Sequence, residues 1–168
     1  MNLISFETVD AAIDFVASID SDTDMEKLTE TFFKAQPDLS QFLYDFSEDM
    51  GEEAQDLLMI MGMIVWKSFV STYGELRALP YSELEKDYQA FEAAMPDDEN
   101  LTEEWFVQTV QNAEEFCQPE VFKYVVSELF AEEVEDSTLT DIENTQLTLG
   151  MKFFAEELHK LATEKAKH

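Results

Sequence analysis

The sequence predicts an all-α fold, either a compact multi-helix bundle or a short α-solenoid-like array of about eight helices. Apolar residues recur at helical spacing along most of the chain. The chain has only 4 Gly and 4 Pro, the residues that most often interrupt helices. No stretch alternates apolar and polar residues as a half-buried strand does. The 168 residues fit a single domain spanning 1–168.

The first three helices are predicted before Gly51. Thr23 and Glu26 have the spacing of a capping box, in which each side chain satisfies the other's free backbone amide at a helix start. Pro37 suits the first turn of the third helix, because that position needs no amide hydrogen. Gly51 is expected to end this helix. The three apolar stripes contain Val9, Ala12, Ile13, Val16, Met25, Leu28, Phe32, Leu39, Phe42, Leu43 and Phe46.

The fourth helix, about Glu52 to Tyr73, is predicted to be central. The run from Leu57 to Trp66 is apolar on all sides, which indicates contacts on several sides. Gly62 costs about 1 kcal/mol of helix stability relative to Ala. We therefore expect close approach of a neighbouring helix at Gly62. Gly74 is expected to end the helix.

Four further helices are predicted in the second half of the chain. Ser82 and Glu85 have the spacing of another capping box, and Pro96 is expected to stop that helix. The expected helix starts are Ser82, Thr102, Pro119 and, for the last helix, Thr138 or Thr140.

One internal similarity relates the two halves of the chain. Gln36-Pro37 and the apolar positions after it match Gln118-Pro119 and the positions after that pair. This match indicates a duplicated helical unit, with pseudo-repeat halves of about 1–78 and 79–168. Coincidence is the alternative, because Pro is common in first helical turns.

Charge is the extreme feature of the composition. The 38 Asp and Glu outnumber the 10 Lys and Arg, which gives a formal net charge of −28. Such a surface repels nucleic-acid phosphates and anionic lipid headgroups. We therefore expect neither direct nucleic-acid binding nor membrane binding, and we expect a basic protein as partner. The alternative is that acidity serves solubility alone or reflects a salty habitat.

The chain has one cysteine, Cys117, so an intrachain disulfide cannot form. A single thiol beside an apolar residue is typical of a small core side chain. The segment Met1–Phe6 lacks the basic and apolar stretches of a signal peptide. These features favour a cytoplasmic location. The oligomeric state stays open.

Two short patterns are typical of metal sites, and both are incomplete. Asp20, Asp22 and Asp24 match the opening of a calcium-binding EF-hand loop, but its later Gly and Glu are absent. Glu156 and His159 match the Glu-x-x-His unit of di-iron helical bundles, which requires a second copy. With 2 histidines near the C-terminus, no nucleophile–base pair is assembled either. We predict no catalytic, metal-binding or cofactor-binding residues and no cofactor.

The sequence therefore favours a non-catalytic acidic helical protein that binds a basic protein. The alternatives are a carboxylate-based metal-dependent enzyme and a DNA mimic that inhibits a DNA-binding protein, so enzymatic activity stays uncertain. The expected contact surface lies in two acidic stretches that lack Lys and Arg. Its residues are Asp97, Asp98, Glu99, Glu103, Glu104, Glu132, Glu133, Glu135 and Asp136.

Overall fold

A computed structural model describes residues 1–100, 102, 104–105, 108, 116–130 and 138–168. These residues form seven α-helices and no strand, so the predicted all-α, multi-helix architecture is confirmed. The helices are α1 (Phe6–Ala17), α2 (Asp22–Ala35), α3 (Pro37–Ser47), α4 (Glu52–Tyr73), α5 (Tyr81–Ala94), α6 (Pro119–Leu129) and α7 (Asp141–Ala166). Two short 3₁₀ turns, Glu48–Met50 and Asp98–Asn100, follow α3 and α5.

The helix count differs from the expected eight by one within the described part of the chain. The predicted helix that starts near Thr102 accounts for the difference. Glu104, Trp105 and Gln108 are helical, and most of the remaining positions of that helix lie outside the described residues.

The two longest helices, α4 and α7, pack against each other at the centre of the bundle. α1 and α3 pack on α4, and α6 packs on α7. Phe32 of α2 joins the central pair, with its ring centroid 5.4 Å from that of Trp66 and 6.0 Å from that of Phe154. The predicted bounds and central position of α4 are thus confirmed.

Two glycines let α3 approach both central helices. A Cβ atom on Gly62 of α4 would overlap Leu43, which confirms the predicted close approach. A Cβ on Gly150 of α7 would lie 2.6 Å from a ring carbon of Phe46. Side chains of α3 therefore contact α4 and α7 at sites where the central helices have no side chain of their own.

The predicted capping boxes of α2 and α5 are wrong. α2 is capped by Ser21, whose hydroxyl accepts a hydrogen bond from the amide of Asp24, so the helix starts one residue before Thr23. α5 starts at Tyr81 after Pro80, without a side-chain cap. By contrast, Thr140, one of the two predicted starts, caps α7: its hydroxyl accepts from the amide of Glu143 and donates to the Glu143 carboxylate.

The prediction that Gly51 ends the third helix is wrong. α3 ends at Ser47, and the chain continues through the 3₁₀ turn before it reaches Gly51. Gly51 has φ of +95°, a region that favours glycine, and it directly precedes α4. Gly51 thus redirects the chain into α4.

The two Gln-Pro pairs form matching buried hydrogen-bond clasps. The Gln36 side chain donates to the carbonyl of Arg77 (2.8 Å) and accepts from the amide of Leu79 (3.1 Å), both in the non-helical segment before α5. The Gln118 side chain accepts from the amide of Ile4 (2.8 Å), in the non-helical segment before α1. Each glutamine is 1% exposed. The match is compatible with an internal duplication, which stays a prediction.

Candidate functional site

A concave groove lies between α3 and α5. It has a volume of about 480 Å³. Its floor is aromatic and aliphatic, and its lining residues on the floor are Phe42, Phe46, Tyr81, Leu84 and Tyr88. The helical stripes that build the core thus continue outward and leave this apolar strip uncovered.

Phe153 of α7 supports the floor from below. Its ring centroid lies 5.0 Å from Phe42, 5.3 Å from Tyr88 and 5.2 Å from Phe91, in tilted or edge-on geometry. Phe153 itself is 1% exposed. Edge-on packing of this kind fixes ring orientation, so the floor is preorganised.

The two sides of the groove carry the same pattern of polar groups, which we name the acidic rims. Each rim has a carboxylate, then an amide, then a second carboxylate seven residues after the first. The α3 rim is Asp38, Gln41 and Asp45, and the α5 rim is Glu85, Gln89 and Glu92. Seven residues are two helical turns, about 10 Å, so both carboxylates of each rim face the same side of their helix.

No Lys or Arg lines this groove, and no rim carboxylate forms an ion pair within the described residues. All 10 Lys and Arg of the chain belong to the described ranges. Asp45 accepts one hydrogen bond, from its neighbour Gln41 at 2.9 Å. Burial, together with the adjacent Glu92 carboxylate, raises the pKa of Tyr88. The groove is therefore apolar below and negative on both sides.

A second depression of about 500 Å³ continues the groove toward the end of α5. It shares Phe46, Tyr88 and Glu92 with the first. Its other lining residues are Met50, Phe91, Met95, Pro96, Asp97, Gln146 and Leu149. The two depressions form one continuous groove along the length of α5.

The opposite side of α5 faces α7 through a charged seam. Lys160 of α7 lies 2.6 Å from the carboxylate of Asp87 and 3.2 Å from that of Glu83. Arg77 bridges Glu83 (3.1 Å) and Glu164 (2.7 Å). The guanidinium of Arg77 and the ammonium of Lys160 lower the pKa of Glu83, against the effect of burial.

Glu157 is the buried member of this seam. It is 6% exposed, and its Oε2 lies 4.0 Å from the Lys160 ammonium without a hydrogen-bond partner among the described residues. Burial and the nearby Asp87 raise the pKa of Glu157 to about 8. Burial alone would raise the pKa of Asp87, but hydrogen bonds from Lys160 and Glu157 outweigh it and lower that pKa. Glu157 thus holds a proton at a pH where most carboxyls have lost theirs.

The contact surface predicted from the sequence overlaps the groove at one residue. Asp97 lines the second depression, whereas the exposed Glu99 and Glu104 do not. Asp98 belongs to the 3₁₀ turn after α5. The remaining predicted contact residues, Glu103, Glu132, Glu133, Glu135 and Asp136, lie outside the described residues.

Residues of both patterns typical of metal sites have other structural roles, and Asp22 and Asp24 lie in the first turn of α2, where acidic side chains favour the helix N-terminus. Glu156 pairs with Lys152, and His159 shares a hydrogen bond with Gln118 (3.2 Å). Burial lowers the pKa of His159. Among the described residues, no group of three or more His, Cys, Asp or Glu is arranged to hold a metal ion.

Cys117 is half-buried and forms no disulfide. Burial raises the pKa of its thiol to about 11, so the reactive thiolate is scarce near neutral pH. This agrees with a packing role for Cys117.

Comparisons of the chain with protein-family models, with curated proteins and with solved structures find no match. Among the helices of the described ranges, none combines the length and the apolar character needed to cross a membrane.

Proposed function

We propose that this protein is a non-catalytic binding module, and that the groove between α3 and α5 binds a basic segment of a partner protein. The observation that carries the proposal is the combination of an aromatic floor with two acidic rims that form no ion pair with Lys or Arg among the described residues. An uncovered apolar strip gains free energy from burial in a complex. The rims favour a partner that brings positive charge beside its apolar residues.

The same proposal includes a cytoplasmic location and no direct contact with nucleic acid. The net charge of −28 supports the second point, because phosphates would meet a field of their own sign. The single cysteine supports the first, because stabilising disulfides are characteristic of oxidising compartments.

Binding of a fluorescein-labelled peptide of Lys and Leu residues tests the proposal. We expect saturable binding by fluorescence anisotropy, with an affinity that falls when salt rises from 50 to 300 mM, because salt screens exposed charges. A rim variant, Asp45→Asn with Glu85→Gln and Glu92→Gln, should bind about tenfold more weakly.

A matched control separates the groove from general acidity. Glu7→Gln with Asp10→Asn and Asp14→Asn neutralises three exposed carboxylates of α1, and both triple variants have a net charge of −25 (−28 plus 3). The control should bind as the unmodified protein does. Equal weakening by the two triple variants, or no saturable binding, would contradict the proposal.

A further inference from the structure

The shape and charge of the groove define the partner segment more closely, given the proposed function. We infer that the groove binds an amphipathic α-helix whose apolar stripe has basic residues on both flanks, with the two bases of each flank seven residues apart. The inference names the secondary structure and the charge spacing of the partner, which the proposed function leaves open.

The form of the groove suits a helix. Two neighbouring helices, α3 and α5, provide its walls, and Phe42 and Tyr88 meet across its floor with ring centroids 5.3 Å apart. A furrow between two packed helices accepts the side-chain ridge of a third helix. α5 has 14 residues, about 21 Å, so the groove matches a partner helix of about four turns.

Carboxylates repeat at the same interval along both rims. Asp38 and Asp45 on one side, and Glu85 and Glu92 on the other, are each two turns apart. A partner helix in the furrow repeats its own side chains with the same two-turn period. Bases seven residues apart on each flank therefore meet both carboxylates of a rim.

An amide side chain lies between the two carboxylates of each rim. Gln41 and Gln89 occupy the middle of the two rims and are exposed. Amide groups both donate and accept hydrogen bonds, so they tolerate a neutral polar residue of the partner between its two bases. An extended strand, with about 3.3 Å per residue, would pass a whole rim in about three residues. Its side chains would alternate sides, so seven-residue charge spacing would have no effect.

Two peptides of equal composition test the inference. Both have about 15 residues and a Leu stripe at helical spacing. The flank peptide has Lys pairs seven residues apart on both sides of the stripe, and the isomer has the same Lys residues on the face opposite the stripe. We expect the flank peptide to bind at least about tenfold more tightly by anisotropy. We also expect it to gain helical circular dichroism on binding.

A charge reversal makes the test independent of general electrostatics. Glu85→Lys with Glu92→Lys reverses the α5 rim, and a third peptide has Glu in place of Lys on one flank. The reversed protein should prefer this third peptide, and the unmodified protein should prefer the flank peptide. Glu7→Lys with Asp10→Lys on α1 adds the same charge elsewhere and should leave the original preference unchanged.

The outcomes distinguish the two proposals. Equal affinity for the flank peptide and the isomer, or equal affinity for a peptide with a central Pro that cannot form the helix, would overturn the inference about helical spacing. In that case, sensitivity to the rim variant would still support the proposed function. Binding of the peptides without sensitivity to the rim variant would overturn both.

Discussion

The two sides of α5 treat their acidic residues in opposite ways. On the side toward α7, Glu83 and Asp87 pair with Arg77 and Lys160. On the side toward the groove, the α5 rim has no ion pair within the described residues. Arg77 and Lys160 thus join α5 to α7. The acidic residues that give the net charge of −28 are therefore of two kinds: those of the seam have basic partners, and those of the α5 rim have no ion pair within the described residues.

Loss of the aromatic support beneath the groove should have the largest effect. Phe153→Ala removes the ring that contacts Phe42, Tyr88 and Phe91, and large-to-small changes of this kind cost about 3–5 kcal/mol. Chemical denaturation measures the loss. Peptide binding should also weaken at denaturant concentrations well below the unfolding midpoint, because the floor of the groove loses its shape.

Phe69→Ala is the matched control for this prediction. Phe69 is fully buried on α4 and packs on Tyr73, away from the groove lining. It should destabilise the fold by a similar amount and leave peptide affinity unchanged in the remaining folded protein. Equal loss of binding in both variants would mean that the groove has no separate support.

Loss of the central cation of the seam should have a smaller effect. Lys160→Gln leaves Asp87, Glu83 and the buried Glu157 without their shared ammonium. Lys160 is 35% exposed, so solvent screening limits the cost to about 1 kcal/mol. Lys167→Gln, at the exposed C-terminus, is the control and should change the midpoint of denaturation very little. Similar losses in the two variants would show that the seam contributes no stability.

The seam should also make stability depend on pH, through the buried Glu157. The pKa of Glu157 is about 8 in the folded protein, above the ordinary value of 4.5, so the folded state holds the extra proton between these values. Stability from this group therefore falls as pH rises from 4.5 to 8 and is constant outside that window. Asp87 acts in the opposite direction, and only near or below its ordinary value of 3.8.

Glu157→Gln removes this titration while it keeps the size of the side chain. The Tm of the variant relative to the unmodified protein should rise between pH 5 and pH 8 and then level off. Glu85→Gln, on the opposite side of α5, serves as the control for loss of one acid. A Tm difference that is independent of pH would contradict the raised pKa of Glu157.

Local sequence patterns predicted the helix bounds well where tertiary packing favours the same bounds. α4 matches its predicted bounds, and Pro37 and Pro119 start helices as expected. The capping boxes of Thr23 and Ser82 failed because another contact sets the helix start. For α5 the clasp of Gln36 on Leu79 places the chain so that the helix begins directly after Pro80.

The candidate site was largely missed because its rims join distant parts of the sequence. The α3 and α5 rims are at least 40 positions apart in the sequence, and neither is a dense acidic run. The available signal was the equal seven-residue spacing of Asp38 and Asp45, and of Glu85 and Glu92, each pair around an apolar stripe. Sequence gives this spacing, but the contact of α3 with α5 decides that the two stripes meet in one groove.

The paired glutamine clasps imply strong cooperativity of unfolding. Gln36 secures the entry to α5, and Gln118 secures the entry to α1, across 43 and 114 positions of the chain. An open segment loses its hydrogen bond to the glutamine, which contributes about 0.5–1.5 kcal/mol. Because each clasp joins distant parts of the chain, the segments unfold together with the helices that hold them, and we expect the chain to melt in one sharp transition.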